Sequence, residues 1–304
     1  MADDEVNDLL LKGKEFMEKG EYKKAIKQFD AVIKADPDNA DGYFGKAEAS
    51  VGLPKMSLID VAQLYRLAIK NDPENPYYYS VYGDFCLSNG LLPQAEENYQ
   101  KAIELDTEGA VFHYLDLALG YYQNGLLFLD RQLNLERNDI IKKSVGYLFS
   151  AFGLDVKAGL DIVGSIEQSK SFEAEIEQIT QTADYQAELD KLEELEGVDE
   201  FKSYIESEPY NPYNFLAYGQ FCFENGLLHL GREQYLRAIA LDPSDSNLGL
   251  YFNELAAYTY RTGLEVIKDP KSKEFAEKVT LPSLKYSLSA LGIAPETVLN
   301  VLKQ

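Results

Sequence analysis

An eighteen-residue stretch occurs twice in this chain of 304 residues, as NPYYYSVYGDFCLSNGLL from Asn75 and as NPYNFLAYGQFCFENGLL from Asn211. Eleven of the eighteen positions are identical. Both stretches contain a Phe-Cys pair and end in Asn-Gly-Leu-Leu. A repeat of this length indicates an array of similar structural units rather than one irregular core.

A helical pattern explains what the repeated unit is made of. Residues 6–39 form two amphipathic segments that are interrupted at Gly20, a residue suited to ending a helix in the left-handed conformation. Apolar and small residues at three- and four-residue spacing form one stripe on each segment: Leu9, Gly13, Phe16, Ala25, Phe29 and Val32. This pattern predicts a hairpin of two helices.

The segment resembles a tetratricopeptide repeat. That family places a large apolar residue, a Gly, an aromatic residue, an Ala, a second aromatic residue and a Pro at fixed spacing, here Leu9, Gly13, Phe16, Ala25, Phe29 and Pro37. The same pattern occurs over residues 76–109, with Thr107 in place of the closing Pro, and over residues 212–245. The resemblance implies an all-α fold, a superhelical solenoid of antiparallel helix hairpins.

The duplication extends beyond the first pair of stretches. SAFGLDVKAGLDIV from Ser150 aligns with SALGIAPETVLNVL from Ser289, at nearly the same offset as the first pair. We therefore predict an internally duplicated block of about 130 residues, long enough for several stacked repeats. The expected domains are an N-terminal repeat at 1–39, a first block at 40–170 and a second block at 171–304.

The segment that begins the second block is charged and has a helical period. An apolar stripe along it comprises Phe172, Ile176, Ile179 and Ala183. Two interpretations remain open, a short coiled coil and a degenerate helix hairpin. Both predict helix.

The charge balance excludes some classes of partner. A formal net charge of −22 repels the phosphates of nucleic acids and anionic lipids, and attracts basic segments of other proteins. The chain has no apolar run of about 18 residues, and its start, MADDEVNDLL, is acidic. We predict a cytoplasmic protein that binds neither nucleic acid nor membrane. Only two cysteines occur, Cys86 and Cys222, and we expect both to be buried free thiols.

Local signatures of catalysis are missing from the sequence. There is no Gly-x-Ser-x-Gly, no phosphate-binding loop of the Walker type and no His-Glu-x-x-His. The two histidines, His113 and His229, have no cysteine nearby with which to form a metal site. We predict no catalytic residues, no cofactor and no metal site.

The resemblance also implies where a partner would bind. Proteins of this family bind peptides along a concave wall formed by the first helix of each hairpin, and this wall is rich in aromatic residues here. The candidate partner-binding residues are Phe44, Glu48, Tyr77, Asp84, Leu87, Leu115, Leu119, Tyr122, Tyr213, Gln220, Phe223, Asn253 and Tyr260. Such a wall suits an apolar or basic segment.

One class of partner is not expected. Family members that hold the acidic C-terminal tails of heat-shock chaperones use Lys, Asn and Arg at defined positions. The corresponding positions here hold Leu10, Lys14, Tyr77 and Val81. Without those cations the chain is a poor candidate for capturing carboxylate tails.

The expected function is therefore a non-enzymatic scaffold that binds a peptide or protein along a Tyr-rich groove. The alternative is a self-associating structural protein, because the ends of a solenoid expose apolar faces unless they are capped. The terminal segment ETVLNVLKQ would serve either as that cap or as a contact with a second copy, forming a homo-oligomer. An enzyme with an unrecognised site is the remaining alternative.

Overall fold

The computed structural model describes residues 2–53, 56–128, 136–166, 171–243 and 246–303, and every regular element within these ranges is helical. By their internal contacts, residues 1–113 and 114–304 form two compact units. The predicted domain limits, after residues 39 and 170, follow the repeats in the sequence. The two units are defined by contacts between residues, so the limit between them falls after residue 113. The predicted all-α class of helix hairpins is confirmed.

The first unit contains three consecutive helix hairpins, α1 with α2, α3 with α4, and α5 with α6. The helices are α1 (Ala2–Glu18), α2 (Tyr22–Ala35), α3 (Ala40–Val51), α4 (Leu58–Asn71), α5 (Pro76–Ser88) and α6 (Leu92–Leu105). Each hairpin also contacts the next, through α2 with α3 and α4 with α5. Helix α7 (Ala110–Phe128) follows α6 along the chain.

The second unit contains more helices and less regular pairing. They are α8 (Arg137–Ala151), α9 (Val156–Ser165), α10 (Phe172–Thr180), α11 (Ala183–Leu192), α12 (Val198–Ser207), α13 (Pro212–Glu224), α14 (Leu228–Leu241), α15 (Leu248–Val266), α16 (Lys273–Phe275), a π-helical turn (Ala276–Thr280), α17 (Leu281–Leu291) and α18 (Pro295–Leu302). Hairpins form between α13 and α14 and between α15 and α17.

The two occurrences of the repeated stretch begin and end in the same way. Asn75 and Asn211 cap α5 and α13, and each side chain accepts a hydrogen bond of 3.1 Å from the backbone N–H two residues on. At the other end, Gly90 and Gly226 have φ values of +72° and +70°. The left-handed glycine lets the chain reverse into the second helix of the hairpin.

Glycine is also required where the two helices of this hairpin cross. A Cβ atom added to Gly83 would lie 2.6 Å from the ring of Tyr99, and one added to Gly219 would lie 2.6 Å from the ring of Tyr235. Both tyrosines are almost fully buried. A small residue facing a large one is therefore the packing basis of the repeat in both occurrences.

Among the described helices, further ones cover the later occurrence of the repeated stretch, and sequence differences explain why. Helices α10 and α11 pack on α14. There Leu230 and Leu236 are buried, whereas the corresponding residues of α6, Gln94 and Gln100, are exposed. Apolar residues on α14 favour the burial that polar residues on α6 would oppose.

The segment left open between a coiled coil and a degenerate hairpin folds as two short helices that pack on α14. Within it, Ile179 is buried and Phe172 contacts the ring of Phe252 at 5.9 Å. The predicted helix is confirmed, and the apolar stripe packs within the second unit.

The ends of the two predicted blocks pack on each other within the second unit. Helices α8 and α9 contact α17 and α18, which are their counterparts when Ser150 is aligned with Ser289. Gly153 and Gly292 end α8 and α17 with the same φ of +64°. A left-handed glycine thus follows the first helix in both of the aligned segments.

Helices α7 and α15 contact each other in the same region. The Asn253 side-chain amide donates a hydrogen bond of 2.9 Å to the backbone carbonyl of Leu115. These two residues are counterparts, because Ala118 and Ala256 occupy the same repeat position in the two blocks. The two blocks thus contact each other through equivalent positions, as the two subunits of a two-fold dimer do on their symmetry axis.

The C-terminal helix is used within the chain. Val298 and Val301 of α18 are buried, and the helix packs on α8 and α9. The described part of ETVLNVLKQ thus contacts helices of the same chain, and its role as a cap or as a contact with a second copy stays a prediction.

Candidate functional site

Four of the thirteen candidate residues come together in the first unit, where α3 and α5 lie side by side with α4 and α6 behind them. Phe44 and Glu48 belong to α3, and Tyr77 and Asp84 belong to α5. We call Phe44, Glu48, Tyr77 and Asp84 the acidic–aromatic cluster.

The aromatic part of this cluster is a group of packed rings. The ring centroid of Phe44 lies 5.3 Å from that of Tyr77 and 4.9 Å from that of Tyr78. Tyr78 is buried and its hydroxyl donates a hydrogen bond of 2.8 Å to Asp41. Tyr77, in contrast, is 57% exposed. The cluster therefore presents one large aromatic face to solvent on a fixed base.

The acidic part is held by tyrosines from the second helix of each hairpin. The hydroxyl of Tyr65 donates a short hydrogen bond to Glu48, and the hydroxyl of Tyr99 donates one of 2.5 Å to Asp84. Both tyrosine rings are buried, and a buried phenol needs such an acceptor. The two carboxylates are thereby fixed in position.

Desolvation shapes the electrostatics of the cluster. It raises the pKa of Glu48 and that of Asp84, although the hydrogen bond from each tyrosine acts in the opposite direction. The negative charge of Glu48 further raises the pKa of Asp84. Asp84 is open to solvent along one side, yet the adjoining helices remove enough water to disfavour its charged form.

The charges of both acids act on the hydroxyl of Tyr77. Desolvation raises the pKa of its hydroxyl, and the charges of Glu48 and Asp84 raise it further. An exposed aromatic ring thus stands next to two carboxylates that repel each other and lack full hydration. A cation placed among them would stabilise the charged carboxylates and contact the ring face.

The other candidates in the first repeated stretch and its counterpart differ in exposure. Leu87 is buried in the first unit. On α13, Tyr213 and Gln220 are exposed, but Phe223 is buried and stacks on Tyr258 at 5.6 Å. Leu87 and Phe223 therefore contribute to packing, because their helix faces turn toward the neighbouring helices.

Five candidates lie where the two blocks pack together in the second unit: Leu115, Leu119, Tyr122, Asn253 and Tyr260. Leu115, Tyr122 and Asn253 are buried. The Tyr260 hydroxyl donates a hydrogen bond of 3.1 Å to the Phe152 carbonyl. The expectation of an open wall does not hold at the buried positions, because each block covers the last hairpin of the other.

Sequence reasoning missed the tyrosines behind the cluster. The first repeat has Phe29 at the position that Tyr65 and Tyr99 occupy in the next two. The hydroxyl at that position was an available signal, since a buried tyrosine must find an acceptor. That signal indicates an acid on the facing helix.

The described residues contain no group of three or more His, Cys, Asp or Glu side chains that is arranged to hold a metal ion. In the same ranges, none of the helices has the length and apolar character needed to span a membrane.

A protein-family model matches a segment in the N-terminal part of the chain. Residues 13–51 match the family model described as TPR repeat. This match covers the end of α1, all of α2 and α3, and the Gly13 and Phe29 pattern noted above. The match shows a TPR repeat over these residues, and such a repeat implies a scaffold for contacts between proteins.

Solved structures of related folds are distant in sequence. PilF of Pseudomonas aeruginosa is 13% identical to this chain, with a TM-score of 0.42. The match covers 91% of this chain and 97% of PilF. YrrB, described as a TPR protein with an unusual peptide-binding site, is 11% identical over 78% of this chain and 86% of its own, with a TM-score of 0.36. The P58(IPK) TPR domain is 15% identical over 98% of both chains, with a TM-score of 0.31. The search of curated proteins gave no match.

Proposed function

We propose that the first unit binds a partner protein through a basic side chain that enters the acidic–aromatic cluster. The observation that carries this proposal is the convergence of Glu48 and Asp84 beside the exposed ring of Tyr77. Desolvation makes both carboxylates better partners for a cation than free carboxylates in water.

The chemistry of the cluster favours Lys or Arg within an apolar segment. An ammonium or guanidinium group would neutralise the acids, and its stem would pack on Tyr77 and Phe44. The net charge of −22 would increase the rate at which a basic segment approaches. The partner class is thus a peptide or protein segment with at least one basic residue flanked by apolar residues.

The counterpart helix in the second unit lacks this chemistry. Tyr213 corresponds to the exposed Tyr77, but Gln220 replaces Asp84, and its side-chain amide donates to Glu224 at 2.8 Å. This contrast supports a single binding site rather than one in each block. It also provides a matched internal control.

A selection from a random peptide library on the immobilised full chain tests the proposal. We expect the enriched peptides to contain Lys or Arg, and to be lost when the double variant Glu48→Gln/Asp84→Asn replaces the wild type. The control Glu206→Gln/Glu224→Gln removes the same amount of charge from exposed positions of the second unit, and should retain them. Enrichment without basic residues, or equal retention by the Glu48→Gln/Asp84→Asn variant, would contradict the proposal.

A further inference from the structure

A cavity of about 610 Å³ lies within the second unit, remote in sequence from the acidic–aromatic cluster. Its walls come from the end of α9, from α10, α11 and α14, and from the π-helical turn and α17. Seven charged or ionisable residues line it: Glu175, Asp184, His229, Arg232, Glu277, Lys278 and Lys285. The cavity is therefore polar, although it lies next to the buried helix α14.

Arg232 is the deepest cation of this cavity, and it is only 9% exposed. Its Nε and Nη2 atoms both donate to the Tyr286 hydroxyl, at 3.2 and 3.0 Å. The Glu175 carboxylate is 3.6 Å from Nη2, beyond hydrogen-bond distance. No acceptor for Nη1 occurs in the described part of the chain, so a buried guanidinium keeps unused donors beside the cavity.

A single carboxylate serves two cations at this end of the cavity. Glu175 accepts hydrogen bonds of 2.6 Å from Lys285 Nζ and 2.6 Å from the Tyr286 hydroxyl. Arg232 has no other carboxylate within 4 Å in the described ranges. Two cations, Arg232 and Lys285, therefore lie beside one carboxylate at this end of the cavity.

The opposite wall carries more carboxylates than cations, with Asp184 and Glu277 beside Lys278. Lys278 Nζ donates to Asp184 at 2.6 Å and to Glu274 at 2.8 Å. His229 Nδ1 lies 2.8 Å from Glu188, so its Nε2 atom is turned toward Asp184, at 3.8 Å. The side of the cavity on which cations outnumber carboxylates is thus that of Arg232 and Lys285.

We propose that this cavity binds a small organic or inorganic anion of the carboxylate or phosphate class, with Arg232 and Lys285 as its principal donors. The planar fork of a guanidinium matches the oxygen pairs of both groups. The free donors of Arg232 would pair with the anion, and Lys285 would supply a second charge-assisted hydrogen bond. The volume admits a ligand larger than the anionic group alone.

The negative net charge of the chain does not prevent such a site. At physiological salt, interactions between exposed charges are largely screened beyond about 8 Å. An anion in the cavity is governed by the cations around it, which are partly shielded from water. Local positive charge therefore decides binding here.

Thermal unfolding of the full chain at constant ionic strength tests this inference. Sodium phosphate and sodium acetate are titrated separately against sodium chloride as the baseline. We expect at least one of the two to raise the unfolding midpoint in a saturable way, since a ligand that binds only the folded state stabilises it. The two arms distinguish a phosphate ligand from a carboxylate ligand.

Variants locate the effect. Lys285→Gln should raise the anion concentration at half-saturation about fivefold or more, because it removes one charged donor. Lys157→Gln removes the same charge from an exposed position of α9 and should leave the titration unchanged. Arg232→Lys should also weaken anion binding, and circular dichroism checks that this variant is folded. Lys278→Gln, on the opposite side of the cavity, is a second test of the site, and we expect it to weaken anion binding less than Lys285→Gln does.

The inference is overturned if neither phosphate nor acetate exceeds chloride in a saturable manner. It is also overturned if Lys285→Gln binds as tightly as the wild type. Because the acidic–aromatic cluster lies in the other unit, the outcome is independent of the peptide-binding proposal.

Discussion

The hydroxyl of Tyr99 on α6 donates a hydrogen bond of 2.5 Å to the carboxylate of Asp84 on α5. A residue that fills the core of the hairpin therefore also positions an acid at its surface. Tyr65 and Glu48 repeat this relationship one hairpin earlier. Packing and the candidate binding site are thus built from the same side chains, which makes both open to mutational tests.

Tyr77 and Tyr213 form a matched pair for testing the binding site. They are 57% and 59% exposed at equivalent positions, but only Tyr77 adjoins two carboxylates. We expect Tyr77→Ala to weaken binding of a selected basic peptide about tenfold, and Tyr213→Ala by less than about twofold. Isothermal titration calorimetry measures the affinity of both variants for the peptide. Equal losses of affinity would show that the peptide does not bind at the acidic–aromatic cluster.

Tyr65→Phe tests how the cluster controls its acids. Because the Tyr65 hydroxyl opposes the effect of desolvation, its removal should raise the pKa of Glu48 further. The folded-state pKa of Glu48 is above its unfolded value, so stability falls as pH rises through that interval. Tyr65→Phe should therefore show a larger fall in stability than the wild type as pH rises.

The measurement for Tyr65→Phe is urea unfolding at pH 4 and pH 7, with an NMR titration of the Glu48 carboxyl. We expect a loss of about 1–2 kcal/mol at pH 7 and a smaller one at pH 4, where Glu48 is largely protonated. Tyr210→Phe, at an exposed residue, is the control and should change little. A pKa of Glu48 that stays constant would refute the explanation.

Gly83→Ala tests the crossing of α5 and α6. The added Cβ would lie 2.6 Å from the Tyr99 ring, so we expect a destabilisation of about 1–3 kcal/mol in chemical unfolding. Gly146→Ala is the matched control, because no atom within 4 Å would meet its Cβ in the interior of α8. That control should be neutral or stabilising by up to about 1 kcal/mol, since alanine favours helix.

The two cysteines test the burial of the repeated stretch. Burial raises the pKa of the Cys86 thiol to about 11 and that of the Cys222 thiol to about 12. At pH 8 the reactive thiolate is therefore scarce, and alkylation should be about a hundredfold or more slower than for a free thiol. Mass spectrometry after a timed iodoacetamide pulse, with and without urea, checks this. Rapid labelling of either native thiol would mean that its helix face is open.

Glu175→Gln tests the charge network beside the cavity. Burial tends to raise the pKa of Glu175, but Lys285, Tyr286 and Arg232 together lower it below its ordinary value. Its stabilising contribution is therefore present above its unfolded pKa and is lost as pH falls through the folded value. We expect the variant to lose about 3–5 kcal/mol at pH 7, because a buried cation loses its counter-charge.

Unfolding in urea between pH 3 and pH 7 measures this effect. The difference between Glu175→Gln and the wild type should shrink toward low pH, where the wild-type carboxyl is protonated. Glu177→Gln, on the exposed face of the same helix, should behave as the wild type does. A difference that is independent of pH would exclude the electrostatic explanation.

The hairpins were predictable from sequence because their packing is local. Gly83 and Tyr99 are sixteen residues apart and lie on adjacent helices, so their spacing alone indicates that they meet. The aromatic and acidic residues on α3 and α5 were predictable for the same reason. Each follows from helical period and the order of hairpins along the chain.

The remaining candidates depended on contacts that no local pattern encodes. Leu115 and Asn253 are far apart in the sequence, and their meeting requires two blocks to pack end to end. The network of Glu175 and Arg232 likewise depends on α10 crossing α14. Spacing along the sequence carries no signal for either contact, whereas the apolar substitutions on α14 relative to α6 offer a weak one.

The hydrogen bond from Asn253 to Leu115 joins a side chain on one helix to a backbone carbonyl on the other. Any residue at position 115 supplies that carbonyl, but only a side chain with a suitably placed donor can replace Asn253. Substitution is therefore constrained unequally at two positions that the predicted duplication makes equivalent. Replacing the first block by a copy of the second would keep the carbonyl at position 115, whereas replacing the second block by a copy of the first would put Leu at position 253 and remove the donor.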